Sequence, residues 1–307
     1  MTTDVLTSEP GVYGAPPAEL ATIPAGARQF SPLIPGSPAL EDVAPGSLPA
    51  LTMLAPPGVL ERRYAIALAL RAVKTRGRLT VLAPKDKGGS RLRKELEAFG
   101  CSVGETAKRH HRICVAVKPA KAAGLDEAIA EGAPRLIEDL GLWSQPGVFS
   151  WDRIDPGSAL LAQGLPHLSG DGADLGCGVG FLARDVLRSE KVKSLILVDN
   201  DRRAVEAARR NIADPRAEVR WADIRAGSGI EGLDFVVMNP PFHDGGHEDR
   251  GLGLTFVRIA QQALRKGGVL WVVANRHLPY EAALAEGFKA FHQRADKGGF
   301  KVFEARK

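Results

Sequence analysis

Cysteine is scarce in this chain. Cys101, Cys114 and Cys177 are odd in number, far apart and without a C-x-x-C pair. That argues against a disulfide framework or a zinc site and suits a reducing compartment. Long apolar runs are also missing. The longest, such as Ile66 to Leu70, fall far short of the ~20 residues a membrane helix needs. The opening Met1-Thr-Thr-Asp has no basic residue followed by an apolar stretch, so no secretory leader is expected and a cytoplasmic protein is. No Gly-x-Ser-x-Gly occurs, which leaves serine hydrolysis without support. Gly88-Gly89-Ser90 is not followed by a Walker Lys-Ser/Thr and reads as a glycine turn before a helix. His243, His247, Glu248 and Asp249 lie in a glycine-containing loop, not on one helix face, so no metal is expected there. His110-His111 reads as basic surface.

What is present is ordinary in bulk and uneven in charge. Of 307 residues, 44% are hydrophobic and 25% charged, which permits two domains with sizeable cores. The net charge of +5 is concentrated. Residues 61–125 hold 16 basic against 5 acidic residues, whereas residues 1–60 hold 1 against 5 and residues 126–307 hold 24 against 26. A local excess of this kind is the electrostatic footprint of a polyanion, most often nucleic acid.

Residues 1–58 are rich in Pro, Ala and Gly, with Leu33, Ile34, Leu48, Leu51, Met53 and Leu54 between the prolines. They read as packed, irregular structure with short strands and turns. Apolar spacing predicts a helix over 60–73, a strand over 79–83, a helix over 91–99 and a strand over 113–117. A linker and helix follow over 124–140. Residues 146–158 (Pro-Gly-Val-Phe-Ser-Trp-Asp-Arg-Ile-Asp-Pro-Gly-Ser) lack regular periodicity. A second α/β series then begins. Strands are expected near 172–176, 194–199, 217–221, 233–238 and 268–274, and helices near 181–189, 202–212, 252–265 and 279–286. Such alternation implies a mostly parallel sheet covered on both faces. The chain closes with a hairpin, strands 288–294 and 299–305 around Ala295-Asp-Lys-Gly298.

The chemistry is concentrated at strand ends. Asp174-Leu-Gly-Cys-Gly-Val-Gly180 ends the first strand of the second series and opens a helix. Glycines there allow close backbone approach to a ligand. The spacing is not the dinucleotide G-x-G-x-x-G, and a carboxylate two residues before the first glycine would repel a pyrophosphate. It favours a cationic ligand free of phosphate, and S-adenosylmethionine fits. Asp199 ends the next strand, where a carboxylate accepts ribose hydroxyls; with Asn200 and Asp201 it could equally be a helix N-cap. Asp223 follows a third strand and could accept an adenine amine. Asn239-Pro-Pro-Phe242 follows a fourth. Its prolines stiffen the backbone and leave carbonyls free to accept. An Asn side-chain carbonyl and a backbone carbonyl could together take both protons of a planar amine. That would direct the nitrogen lone pair at a methyl group while Phe242 stacks on the ring.

Together these motifs resemble the class I S-adenosylmethionine-dependent methyltransferases. More narrowly, residues 146–158, Asn239-Pro-Pro-Phe-His243, Val273-Ala-Asn-Arg-His-Leu-Pro-Tyr280 and Gly299-Phe-Lys-Val302 resemble the ribosomal RNA guanine-N2 methyltransferases of the RsmC/RlmG group. The resemblance implies a Rossmann-like seven-stranded sheet with an antiparallel terminal hairpin over 146–307. A smaller, degenerate, basic α/β domain over 1–125 would precede it, suited to RNA docking, with 126–145 as linker and helix. It implies S-adenosylmethionine held by Asp174, Gly176, Cys177, Gly178, Gly180, Asp199, Asn200, Asp223, Ile224 and Asn239. Asn239, Pro240, Pro241 and Phe242 would be the catalytic corner, and Phe149, His243, Asn275, Arg276 and His277 would line the substrate approach. The partner would be ribosomal RNA or a ribosomal subunit, met by a monomer without membrane or metal.

The motif does not by itself choose among planar amines. A glutamine N5 or adenine N6 acceptor remains an alternative on the same fold. A non-catalytic RNA-binding or assembly factor is a third reading, against which the intact glycine turn and Asn239 speak. A nicotinamide dehydrogenase is disfavoured by the glycine spacing and the acid before it.

Overall fold

The computed structural model describes residues 9–227, 229–241, 243–244, 247–248 and 250–307. The chain divides into two compact units, Met1–Ala133 and Pro134–Lys307.

The first unit holds a six-stranded sheet. Its elements are β1 (Gly11–Tyr13), β2 (Arg28–Gln29), β3 (Leu48–Leu54), α1 (Val59–Ala72), β4 (Val73–Pro84), α2 (Leu92–Ala98), β5 (Ser102–Lys108), β6 (His111–Val117) and α3 (Leu125–Gly132). The strand order is β2-β1-β3-β4-β6-β5. β1, β2, β3 and β4 pair in parallel, and β6 runs antiparallel to both β4 and β5. The region expected to be irregular therefore contributes three strands to a sheet. Pro49 is tolerated in β3 because the register with β4 shifts between Leu48 and Ala50, where a ladder donor is not needed. The core gathers on α1, whose Ile66, Ala67, Ala69 and Leu70 are fully buried against Leu51, Met53, Leu79 and Val81. The helix expected within 124–140 is α3, eight residues that pack on α1 so closely that a Cβ on Gly132 would lie 2.3 Å from Tyr64 Cβ.

The second unit opens with a short hairpin, β7 (Arg135–Ile137) and β8 (Leu142–Ser144), then α4 (Pro156–Gly164). The expected 126–145 linker is thus divided between α3 in one unit and this hairpin in the other. Next come β9 (Gly170–Leu175), α5 (Phe181–Val186), β10 (Val192–Asp199), α6 (Arg202–Asn211), β11 (Ala217–Trp221) and β12 (Leu233–Met238). They are followed by the two-residue strands β13 (His243–Asp244) and β14 (His247–Glu248) and by α7 (Arg250–Ala263). The unit ends with β15 (Leu264–Asn275), α8 (Tyr280–Gly287), β16 (Ala290–Lys297) and β17 (Phe300–Arg306). The seven-stranded sheet runs β11-β10-β9-β12-β15-β17-β16, with β17 antiparallel between β15 and β16. This is the architecture that the resemblance implied, with the terminal hairpin in place. β9, β10, β11 and β12 are parallel, so all four carboxyl ends meet at one edge, where ligands bind in open α/β sheets. Apolar clusters on both faces hold the sheet, including Leu175, Val236, Met238 and Phe303 on one side and Leu195, Leu197, Val237 and Val273 on the other.

Candidate active site

At the end of β9, Asp174 is fully buried, and neither carboxylate oxygen has a hydrogen-bond partner among the described residues. Burial, and second the nearby Asp199 carboxylate, push its pKa up to about 8, against a smaller opposing pull from the Ala183 amide. A buried polar group without a partner is costly, so this carboxyl is poised for a ligand that brings a cation or donors. The chain turns sharply just after it. Gly176 and Gly178 have φ of 77° and 54°, a region that side chains with a Cβ avoid. The amides of Gly176 and Cys177 both donate to Val198 O, at 2.9 and 3.0 Å, which lashes the turn to β10. Gly180, also at positive φ, caps α5.

Asp199 ends β10. Its Oδ2 accepts from Gly178 N at 2.8 Å and its Oδ1 from Asp201 N at 2.9 Å. Each oxygen keeps a second lone pair for a ligand hydroxyl. Burial raises its pKa to about 6, partly offset by the Asp201 amide. The helix N-cap is Asp201, whose side chain accepts from Arg203 N; Asp199 stands before it. The Asn200 carbonyl accepts from Trp221 Nε1 at 2.9 Å. Asp223 is more engaged than its sequence suggests. It caps the short turn Ile224–Ala226 and forms a two-pronged ion pair with Arg225, which holds its carboxyl below the usual range. Ile224 is buried beneath it.

Asn239 follows β12, whose Val236, Val237 and Met238 are fully buried. Its Nδ2 donates to Asp155 Oδ2 and to Ser158 Oγ, each at 2.8 Å. Asp155 is the N-cap of α4, accepting from Ser158 N at 2.8 Å, with Pro156 at the first helical position. Pro241 Cδ lies 3.9 Å from where a Cβ on Gly176 would stand, so the proline corner and the glycine turn are neighbours. Two cavities meet at Asn239. A narrow one of about 60 Å³ contains Gly176, Cys177 and Gly178. A second of about 240 Å³ is lined by Pro240, Asn275, Leu278, Tyr280 and Phe300. Phe149, Ser150, Arg153 and Asp155 border both. Phe149 is 59% exposed, an unusual state for a large aromatic and one suited to stacking on a flat ring.

Of the residues expected on the substrate approach, Asn275 lines the second cavity. Arg276 instead donates to Asp296 Oδ1 at 2.6 Å on β16, and neither it nor His277 lines either cavity. Phe242 and Asp249 lie outside the described residues, and His243 is described only as strand backbone. Among the described residues there is no cluster of His, Cys, Asp or Glu able to hold a metal, and no helix long and apolar enough to cross a membrane. Asp155, Ser158 and Tyr280 escaped the sequence reading as site residues. Asp155-Pro-Gly-Ser158 carries a usable signal, a capping residue followed by proline, which marks a helix start.

A family model described as methyltransferase small domain matches residues 139–304. The ribosomal RNA small subunit methyltransferase C of Stutzerimonas stutzeri is 34% identical over 243 residues, covering 76% of this chain and 72% of that protein. The protein of the same name from Pseudomonas putida is 32% identical over 275 residues, covering 86% and 81%. Among solved structures, the T. thermophilus 16S rRNA N2 G1207 methyltransferase, in complex with AdoMet and guanosine, superposes with a TM-score of 0.79. It shares 24% identity over 97% of this chain and 88% of its own, and it supports the fold.

Proposed function

The chain belongs to the methyltransferase small-domain family and, within it, to the ribosomal RNA small subunit methyltransferase C group, and from that premise we propose that it methylates the exocyclic N2 of a guanine in small-subunit ribosomal RNA. The observation that carries the reading is the junction at Asn239. The glycine turn that follows the buried, unpartnered Asp174 borders one cavity, and Asn239, whose amide nitrogen is taken by Asp155 and Ser158, borders that cavity and the larger one beyond it.

S-adenosylmethionine, when bound, supplies an electrophilic methyl group on a sulfonium. Asp174 fits its ammonium, Asp199 its ribose hydroxyls, and Ile224 with Asp223 its adenine. Asn239 Oδ1 accepts one proton of the guanine amine and the Pro240 carbonyl the other. This localises the nitrogen lone pair and aims it at the glycine turn. Phe149 stacks on the extruded base, and Phe242, next in the motif, is assigned the same task on sequence grounds. No strong base is required, because the methylated amine is acidic enough to shed its proton to water.

The 61–125 segment exposes Lys74, Arg76, Arg78, Lys85, Arg91, Arg93, Lys94, Lys108 and Arg109, and it serves as the RNA-docking surface of a cytoplasmic monomer. Its contribution falls with salt. Asn239→Ala tests the reading. Transfer to ribosomal particles lacking the modification, followed by mass spectrometry of N2-methylguanosine, should fall by ~1,000-fold. Affinity for S-adenosylmethionine, measured by titration calorimetry, should stay within about threefold. Near-normal turnover in this variant refutes the assignment.

A further inference from the structure

We infer that Asp155 and Ser158 are positioning residues that fix which end of the Asn239 amide faces the acceptor base. This deepens the proposed function and rests on it. The two ends of an asparagine amide are nearly the same size but opposite in sense, since oxygen accepts and nitrogen donates. A guanine amine is itself a donor, so only the oxygen end can grip it. The nitrogen end would set donor against donor. An unrestrained side chain presents either end by a half-turn of its terminal torsion.

The geometry removes that freedom. Both Nδ2 protons are taken, one by Asp155 Oδ2 and one by Ser158 Oγ, each at 2.8 Å. Ser158 could accept or donate, but a carboxylate only accepts, so Asp155 decides the sense. Asp155 is itself held, because the same Oδ2 accepts from Ser158 N as the cap of α4. The helix start has no slack: a Cβ on Gly157 would lie 2.9 Å from the Phe300 ring of β17. An anion at the nitrogen end also polarises the amide and makes Oδ1 a better acceptor. Asp155 borders both cavities, so the element that orients the amide sits where donor and acceptor meet.

Three variants and two readouts decide it. Ser158→Ala keeps the Asp155 cap and removes one anchor; kcat should fall ~10-fold. Asp155→Ala removes the deciding acceptor, and kcat should fall ~100-fold. Asp155→Asn can turn its own carbonyl toward both donors and should return to within about fivefold of the parent. In all three, KM for RNA and affinity for S-adenosylmethionine should move by less than about threefold, a split that general loosening of α4 would not give. The second readout needs no turnover. In ¹⁵N-labelled protein, the Asn239 side-chain NH₂ pair, identified by its loss in Asn239→Ala, should exchange slowly with solvent and lose that protection in Asp155→Ala. If the pair exchanges freely in the parent, or if Asp155→Asn is as impaired as Asp155→Ala, the inference is overturned. If Asp155→Ala will not fold, Ser158→Ala and the NH₂ pair decide alone. If the parent methylates no guanine, the proposed function fails while the exchange result still judges the positioning.

Discussion

The two units of this chain carry the same ladder. In the first, β3-β4-β6-β5 follow one another in the sheet; in the second, β12-β15-β17-β16 do, with the same parallel and antiparallel senses. A 14-residue helix runs without a break into a 12-residue strand in both, α1 into β4 and α7 into β15. Even a small device is repeated. Lys118 Nζ donates to Val73 O at 2.6 Å and Arg71 O at 3.3 Å, and Lys307 Nζ donates to Leu264 O at 2.6 Å and Gln262 O at 3.4 Å. Lys118 thereby satisfies carbonyls at the end of α1, and Lys307 those at the end of α7.

The units part company at the ligand-facing strand ends. Counting along paired strands, Val12 occupies the place of Asp174, Ser31 that of Asp199 and Leu54 that of Asn239. The first unit keeps a proline corner, but Arg62 closes it, donating to Pro57 O at 2.7 Å and Pro56 O at 3.3 Å while pairing in two-pronged fashion with Glu95. At the matching place on α7 stands Gly253, and the space is filled from the opposite side by Tyr280. Burial drives the Tyr280 phenol well above its usual pKa. The comparison separates scaffold from site. Backbone pairing and helix capping hold either unit together without a ligand. A buried carboxylate such as Asp174 costs stability unless something binds it, so a unit that holds no ligand gains by having valine there.

The contrast can be broken at the plug, at the carboxylate and at the cap. Arg62→Met should have the largest effect, about 4 kcal/mol off the stability of the first unit, because Glu95 and two carbonyls lose their donor. A denaturation curve followed by probes in each unit should show it, with S-adenosylmethionine affinity unchanged. Asp174→Val writes the first unit's residue into the second. Binding of S-adenosylmethionine should weaken by more than ~100-fold while the ligand-free protein gains roughly 2 kcal/mol at pH 8. The pH sense follows from the raised pKa. A carboxyl that titrates near 8 when folded, against an ordinary value of 3.8, binds a proton on folding, so ligand-free stability falls as pH rises from about 4 through about 8. Asp174→Asn should flatten that fall, as thermal melts across the range would show. Smallest, Lys118→Ala and Lys307→Ala should each cost about 1 kcal/mol in chemical denaturation. Unequal losses would mean that the repeated cap is not equivalent in the two units.

The second unit was largely legible in the sequence because its signals are redundant. In Leu233–Met238, for example, Phe235 to Met238 is an unbroken buried apolar run, with Gly232 just before the strand and Asn239-Pro240 just after it, as suits a buried parallel strand. The expected hairpin is present, but β16 runs on through Ala295, Asp296 and Lys297, which were expected in the turn, so the reversal falls at Gly298-Gly299. The first unit was harder. β1 and β2 span three and two residues, too short for any periodicity, and β3 carries a proline. β5 is mostly exposed and polar, which erases the alternation that marks a half-buried strand. At the site, Asp174, Asp199 and Asn239 could be picked out because strand ends in such sheets are where ligands go. The Asn239–Asp155 contact could not, since it joins residues 84 apart and only the packing of α4 brings them together. Nor could the Arg225 pairing of Asp223 be foreseen, as loop acids and arginines two residues apart are common.

With Arg62 closing the first proline corner, the chain carries two copies of one architecture, and on the proposed function it is the second that seats the methyl donor. The proposed function then expects one methyl donor bound per chain, a ratio that titration calorimetry counts. On that same proposal the first copy is free of the constraints a reacting amine imposes, and its surface, where the basic excess of residues 61–125 lies, can vary to suit a polyanion.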